Sequence, residues 1–291
     1  MTNPVWLASG TAGYGDELGR FFSLSELGAI VSKTITPEPR PGHPPPRTVE
    51  LPHGMLNAIG LANVGTDAFI KDKLPFLRNC GTRIVVNVAG RKIDEYVEQV
   101  ERISACDGVD LIELNLSCPN VKEGGMEFSA DAKMAEKTLR RVVDKTTIPI
   151  LAKLSPNVTS IGDIARGAEA GGAAGLSVIN TLVGLAVNIE ERKSMITFGM
   201  GGYSGPGIKP IALAMVYKAY RAVHIPIVGI GGIATARDVV EFMIAGATCV
   251  QVGTQTYVTP TTATTILEEL PRILSTLKVE RAADLIGTLQ L

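Results

Sequence analysis

Eight short runs rich in Val, Ile, Leu and Ala, alternating with segments of helical period, predict an α/β fold of the TIM (β/α)8 barrel class. Composition agrees: 31 glycines and only 5% aromatic residues suit an aliphatic core with many tight βα turns. The length of 291 residues accommodates such a barrel, so residues 1–291 are expected to form a single domain. The Pro-rich stretch Pro37 to Pro46 lies between two candidate strands and reads as an ordered loop, not a boundary.

After a short leading segment, Val5 to Ala8, the first barrel strand is expected at Ala29 to Ser32, with Lys33-Thr34 at its end. The second is expected around Met55 to Ala58 and the third at Arg83 to Val88. From about Asp94, Val97, Val100 and Ile103 recur at helical spacing. The fourth strand is the start of Leu111-Ile-Glu-Leu-Asn-Leu-Ser-Cys-Pro-Asn120, and its helix carries Met134, Leu139 and Val142. Pro149 to Lys153 is the fifth, after which Ser160 caps a helix ending at Gly171-Gly172. Gly175 to Asn180 is the sixth, followed by a long loop, Thr181 to Lys209, with six glycines. Pro210 then suits the first turn of a helix through Ala222. Ile225 to Gly229 is the seventh strand, and Thr235 with Asp238 resembles a capping box for a helix stopping at Gly246. Thr248 to Val252 is the eighth; closing helices follow.

Twenty-eight basic residues against 29 acidic ones give a net charge of −1, which offers neither nucleic acid nor an anionic membrane a basic surface. Cysteines 80, 106, 118 and 249 form no C-x-x-C pair and no zinc-type spacing with histidine, so no metal or iron–sulfur site is expected here. They read as reduced thiols of a cytoplasmic protein. The first ten residues lack the basic and apolar regions of a signal peptide. The uncharged run Ala170 to Ile189 contains Gly, Ser, Asn and Thr, and reads as a buried strand with its loop, not a membrane span.

A TIM barrel carries its chemistry at the C-terminal ends of its strands. Here those ends bear Lys33, Asn57, Asn87, Asn115, Lys153 and Asn180, then Gly229-Ile-Gly-Gly232 and Gly253-Thr254. A single turn asparagine is ordinary. Two lysines and four amides together are hard to explain by packing, because a lysine beside a buried strand costs several kcal/mol unless an anion or a polar ligand meets it. The glycine turns after strands seven and eight stand where barrels bind phosphate through backbone N–H groups. Gly201-Gly-Tyr-Ser-Gly205 either approaches a cofactor or forms only a flexible lid. A phosphate site with amides and a lysine suits flavin mononucleotide, with Lys153 stabilising the reduced form. It also suits a sugar phosphate, with Lys153 as a Schiff-base lysine of a lyase or isomerase. Cys80, Cys106 and Cys249 read as buried, inert residues. Cys118 follows a strand end, precedes Pro119 and sits among polar residues, so it reads as a nucleophile or general base, and a planar substrate held by Asn115 and Asn120 favours the base.

These residues resemble the class 1 dihydroorotate dehydrogenases, and within them the class 1B catalytic subunit. The matching motifs are Ala8-Ser-Gly-Thr-Ala-Gly-Tyr-Gly15, Lys33-Thr34, Gly54-Met-Leu-Asn-Ala-Ile-Gly-Leu61, Asn87-Val-Ala-Gly90, Glu113-Leu-Asn-Leu-Ser-Cys-Pro-Asn120, Val178-Ile-Asn-Thr181, Gly205 and the two glycine turns, in order along the chain. The resemblance implies a barrel with one FMN, oxidising dihydroorotate to orotate in pyrimidine biosynthesis. Cys118 would take the C5 proton while the C6 hydride passes to the flavin. Lys33, Asn57, Asn115, Asn120, Asn180 and Thr181, with Met55, Leu56, Ala58, Ile59, Gly60 and Leu61 around Asn57, would contact the substrate. Ser9, Lys33, Thr34, Asn87, Asn115, Lys153 and Ile179 would line the flavin, and Gly205, Gly231, Gly232, Gly253 and Thr254 its phosphate end.

Met55 to Gly60 and Asn180 to Gly184 look like class 1B. That class passes electrons to a separate subunit bearing FAD and an iron–sulfur cluster, and thence to NAD+, in a heterotetramer of two catalytic and two electron-transfer subunits. A fumarate-linked class 1A homodimer is the alternative; the missing membrane segment argues against the quinone-linked class 2. His43 departs from the expected Asn, in a loop placed away from the strand ends.

Overall fold

The computed structural model describes residues 3–116, 122–123, 126–127 and 131–291. Eight parallel strands close into a barrel: β1 (Val5–Leu7), β2 (Ala29–Val31), β3 (Arg83–Val88), β4 (Leu111–Asn115), β5 (Ile150–Leu154), β6 (Gly175–Val178), β7 (Ile227–Ile230) and β8 (Cys249–Val252). Neighbours in sequence are neighbours around the ring, and β1 closes it against β8 with Trp6 opposite Gln251.

Two expectations exchange places. Val5–Leu7 is not a leader but the first barrel strand, paired on both sides. Met55 to Ala58 is not a barrel strand; Gly54–Asn57 lies in a four-stranded antiparallel sheet with Thr48–Leu51, Gly201–Ser204 and Leu182–Gly184. Burial explains the exchange: β1 is buried throughout, whereas Gly54–Asn57 buries only Leu56, against Ala186 and Ile196 of the long loop. The Gly201–Gly205 segment is thus largely a strand of this sheet and not a free lid. The sheet continues directly from the C-terminal end of β6 through Asn180-Thr181, so it stands at the barrel mouth.

Strand side chains alternate between faces, which fixes what enters the barrel. Ile84, Val86, Ile112, Leu114, Ile150, Ala152, Leu176 and Val250 face outward into the main core under the helices. Trp6, Ala29, Val31, Val85, Leu151 and Val228 form a separate inner cluster, with Leu111 and Cys249 against it. Two residues further along the same faces stand Asn87, Glu113, Lys153 and Gln251, so the barrel interior turns from apolar to polar toward its mouth.

Some of the surrounding helices begin where side chains satisfy their first N–H groups. Ser160 accepts from Asp163 N ahead of Ile161–Ala170, and Thr235 with Asp238 forms a complete capping box ahead of Ala236–Ile244. Pro210 lies in the first turn of Lys209–Tyr220. Ile93–Ser104 buries Val100, Ile103 and Tyr96, and the Tyr96 hydroxyl donates to Asn115 O at 2.8 Å, tying that helix to the end of β4.

Candidate active site

The mouth is organised by a residue of the Glu113 to Asn120 motif to which the sequence pattern assigns no role. Glu113, in the middle of β4, is completely buried. Its Oε1 accepts from Asn87 Nδ2 at 2.6 Å and lies 3.6 Å from Lys153 Nζ. Its Oε2 accepts from Ser177 Oγ at 2.6 Å and Gln251 Nε2 at 2.9 Å. One carboxylate therefore joins side chains of β3, β5, β6 and β8. A charge inside an apolar run is the signal that could have found it, since Glu113 shares its strand face with Asn115.

The amides have fixed orientations. With Nδ2 turned to Glu113, Asn87 Oδ1 faces elsewhere, buried and without a hydrogen-bond partner among the described residues, and Gln251 Oε1 stands likewise. The reverse orientation would set an amide oxygen against a carboxylate oxygen, two acceptors with no proton between them. Asn115, opposite Lys153 in the β4–β5 register, accepts from Asn180 Nδ2 at 3.4 Å, while Asn180 Oδ1 accepts from Thr181 N at 2.8 Å. Asn87, Asn115, Lys153, Asn180 and Thr181 thus form one connected region.

Asn57 stands on the mouth sheet, where its Nδ2 donates to Gly202 O at 3.1 Å. Around it Met55, Ala58, Ile59, Gly60 and Leu61 are half-buried, whereas the Leu56 side chain is wholly buried beneath the sheet. Lys33 N donates to Gly13 O at 2.7 Å just past β2. Burial and the nearby Arg47 guanidinium push the Lys33 ammonium below its usual range, against a smaller opposing effect of Glu17. Ser9 and Thr34 approach through their hydroxyls at 3.4 Å, and Ile179 is buried beside Asn180.

The glycine turns converge. Gly205 (φ 104°), Gly231 (φ 129°) and Gly232 (φ 79°) take left-handed conformations. A Cβ on Gly232 would lie 2.9 Å from Gly205 O and 2.8 Å from Lys209 N. Thr254 Oγ1 donates to Ser204 Oγ at 2.8 Å, drawing the β8 turn to the same place.

Cys118 and Asn120 lie outside the described residues. The other thiols are partly exposed, not buried as expected. Cys80 and Cys106 donate to Phe76 O and Arg102 O of the preceding helical turn, which is how a thiol near a helix end is satisfied without full burial. Burial pushes the Cys249 thiol up to about 11, which keeps it protonated and unreactive. Among the described residues no group of His, Cys, Asp and Glu could hold a metal ion, and no helix is long and apolar enough to cross a membrane. His43 is nearer the mouth than its loop suggested: its Nδ1 lies 2.9 Å from Ala58 O, and its N donates to Ile59 O at 3.0 Å.

Fold and mouth together define a TIM-barrel enzyme with its polar groups gathered at the C-terminal face of the strands. The family profile for dihydroorotate dehydrogenase matches residues 1–274. The chain is 48% identical over 291 residues to the dihydroorotate dehydrogenase B (NAD(+)), catalytic subunit, of Citrifermentans bemidjiense, covering 100% of this chain and 95% of that protein. It is 46% identical to the protein of the same name from Desulforamulus reducens, covering 100% and 96%. The crystal structure of DHODH from Eimeria tenella in complex with ferulenol is similar with a TM-score of 0.83 at 25% identity, over 98% of this chain and 85% of that one. The chain belongs to the dihydroorotate dehydrogenase family.

Proposed function

We propose that this chain, residues 1–291 as a single domain, is the catalytic subunit of an NAD+-linked dihydroorotate dehydrogenase. It oxidises (S)-dihydroorotate to orotate in de novo pyrimidine biosynthesis, acts in the cytoplasm, and holds one FMN. Relatives matching essentially the whole chain carry NAD(+) and "catalytic subunit" in their names, which favours this reading over a fumarate-linked homodimer. It also favours it over a Schiff-base lyase on Lys153.

The observation that carries the cofactor reading is the pairing of an unsatisfied acceptor with a buried donor. Among the described residues Asn87 Oδ1 is buried without a partner, and Lys153 Nζ shares the carboxylate that orients Asn87. A heterocyclic edge bearing N–H and carbonyl groups meets both needs. The positive-φ glycines at 205, 231 and 232 let their turns pack closely, a Cβ on Gly232 meeting both Gly205 O and Lys209 N, beside the start of helix Lys209–Tyr220, which is where a barrel offers backbone N–H groups to a phosphate. The residues therefore fit FMN: Ser9, Lys33, Thr34, Asn87, Asn115, Lys153 and Ile179 would hold the ring system, and Gly205, Gly231, Gly232, Gly253 and Thr254 the phosphate end. FMN, when bound, supplies the two-electron acceptor for the C6 hydride.

The remaining chemistry belongs to the chain. Cys118 takes the C5 proton, which leaves the C5–C6 double bond of orotate once the hydride has gone. Asn57, Asn115, Asn120, Asn180 and Thr181 hold the carboxylate and amide edges. Lys33, poorly solvated beside Arg47, supplies positive charge for a substrate carboxylate. Met55, Leu56, Ala58, Ile59, Gly60 and Leu61 shape the wall around Asn57, Leu56 through its backbone.

Electrons then leave through a partner subunit carrying FAD and an iron–sulfur cluster, in an assembly of two catalytic and two electron-transfer subunits. A steady-state assay tests this: the isolated chain should show negligible turnover with fumarate, and turnover with NAD+ should appear on adding the electron-transfer subunit. Rapid fumarate turnover by the chain alone would reject the NAD+ link.

A further inference from the structure

We infer that Glu113 is a positioning residue, whose two carboxylate oxygens orient the Asn87 amide and the Lys153 ammonium toward the flavin and balance the lysine's charge. The inference rests on the FMN reading above. A carboxylate has only acceptors, and here four donors from four strands converge on it: Asn87 Nδ2, Ser177 Oγ, Gln251 Nε2 and, at 3.6 Å, Lys153 Nζ. A buried ion costs several kcal/mol unless it is paired and hydrogen-bonded, so a wholly buried Glu113 in an aliphatic barrel needs such a set of partners.

Two properties of the mouth follow from this one group. Asn87 presents oxygen, not nitrogen, to a ligand, because its N–H is committed to Glu113. Lys153 presents its ammonium from a neutral pair and not as an isolated cation, so the positive charge available to electron-rich flavin is moderated. A glutamine at 113 disturbs both. Its carboxamide must set N–H groups either against Asn87 and Lys153 or against Ser177 and Gln251, so the shared set of acceptors that fixes Asn87 is broken. Lys153 loses its counter-charge.

The test uses the flavin-loaded protein and E113Q, reading FMN dissociation and the midpoint potential of the bound flavin. The expected result is FMN affinity lowered at least ~10-fold. The potential should move positive by about 30 mV or more, a tenfold change in the ratio of reduced to oxidised flavin affinity for a two-electron couple. A folded E113Q with wild-type affinity and potential overturns the inference, even if its melting temperature falls. Should E113Q not fold, Ser177→Ala removes one donor to Oε2 and keeps the charge pair. It should weaken FMN at least ~3-fold, and unchanged affinity there would overturn the inference equally. A wild-type protein that takes up no FMN overturns the cofactor reading itself, a result distinct from a loaded wild type with an unaltered variant.

Discussion

The rings of His43 and Phe198 stack at a centroid distance of 4.0 Å, within 9° of parallel. This contact joins the Pro-rich loop to the long loop after β6, and His43 also grips Ala58 and Ile59. A Cβ on Gly60 would lie 2.7 Å from the His43 ring, so that ring packs directly over the proposed substrate segment. Stacking of this kind contributes about 0.5–1.5 kcal/mol.

His43→Ala should therefore loosen residues 58–60 without touching the reacting atoms. The expected outcome is a KM for dihydroorotate raised about 3- to 10-fold with kcat within about twofold, the signature of lost ground-state positioning. His43→Asn, which can still meet Ala58 O but cannot stack, should fall between. Steady-state kinetics check both.

The glycine turns separate fold from ligand. Gly231→Ala would bring its Cβ to 2.7 Å from Ala212 Cβ at φ 129°, and should cost about 1–3 kcal/mol of stability as well as FMN affinity. On Gly253 a Cβ meets only Ala8 Cβ at 3.5 Å and Thr11 Oγ1 at 3.9 Å, which the protein accommodates. Gly253→Ala should thus melt like wild type yet bind FMN several-fold more weakly. Thermal unfolding and flavin titration read the two effects separately.

Asp238 gives the fold a predictable acid limit. Burial pushes its carboxyl up, but Lys209 at 2.6 Å and N–H groups of Ala234 and Thr235 outweigh this and hold it below the usual range. A depressed folded value means a contribution present above about pH 4 and lost as pH falls through the folded value. For Lys209, burial lowers the ammonium, and Asp238 and Glu241 more than reverse it. Its contribution is present below about pH 10.5 and lost as pH rises through the folded value. Asp238→Asn should cost about 1–2 kcal/mol near neutrality, as a lost cap does, and flatten the fall of Tm below about pH 4.

As the proposed base, Cys118 should set the pH dependence of flavin reduction. With an ordinary thiol near 8.5, only a few per cent is thiolate at neutral pH, so flavin reduction should accelerate toward alkaline pH. Cys118→Ala should slow that reduction at least ~100-fold while orotate still binds. Cys118→Ser should also be slow near neutrality, because a hydroxyl is a far weaker acid. Stopped-flow reduction across pH decides; unchanged rates would remove Cys118 as the base.

Much of the barrel was legible because a parallel sheet buried on both faces leaves continuous aliphatic runs, and seven of those runs gave their strands directly. The eighth strand was miscounted for a physical reason: β1 is three residues long, whereas Gly54–Asn57 has strand character but pairs antiparallel at the mouth. The amides and lysines were visible because polar groups ending apolar runs stand out. Glu113 was less visible, since its partners Ser177 and Gln251 are 64 and 138 residues away and only closure of the barrel brings them together. His43 was hidden similarly, because Phe198 reaches it from a loop whose path no periodicity encodes.

The most direct measurement is anaerobic mixing of the purified yellow protein with dihydroorotate. Stoichiometric bleaching of the flavin absorbance with formation of one orotate per flavin is the predicted result. A folded protein without flavin, or one whose flavin stays oxidised in excess dihydroorotate, would contradict it.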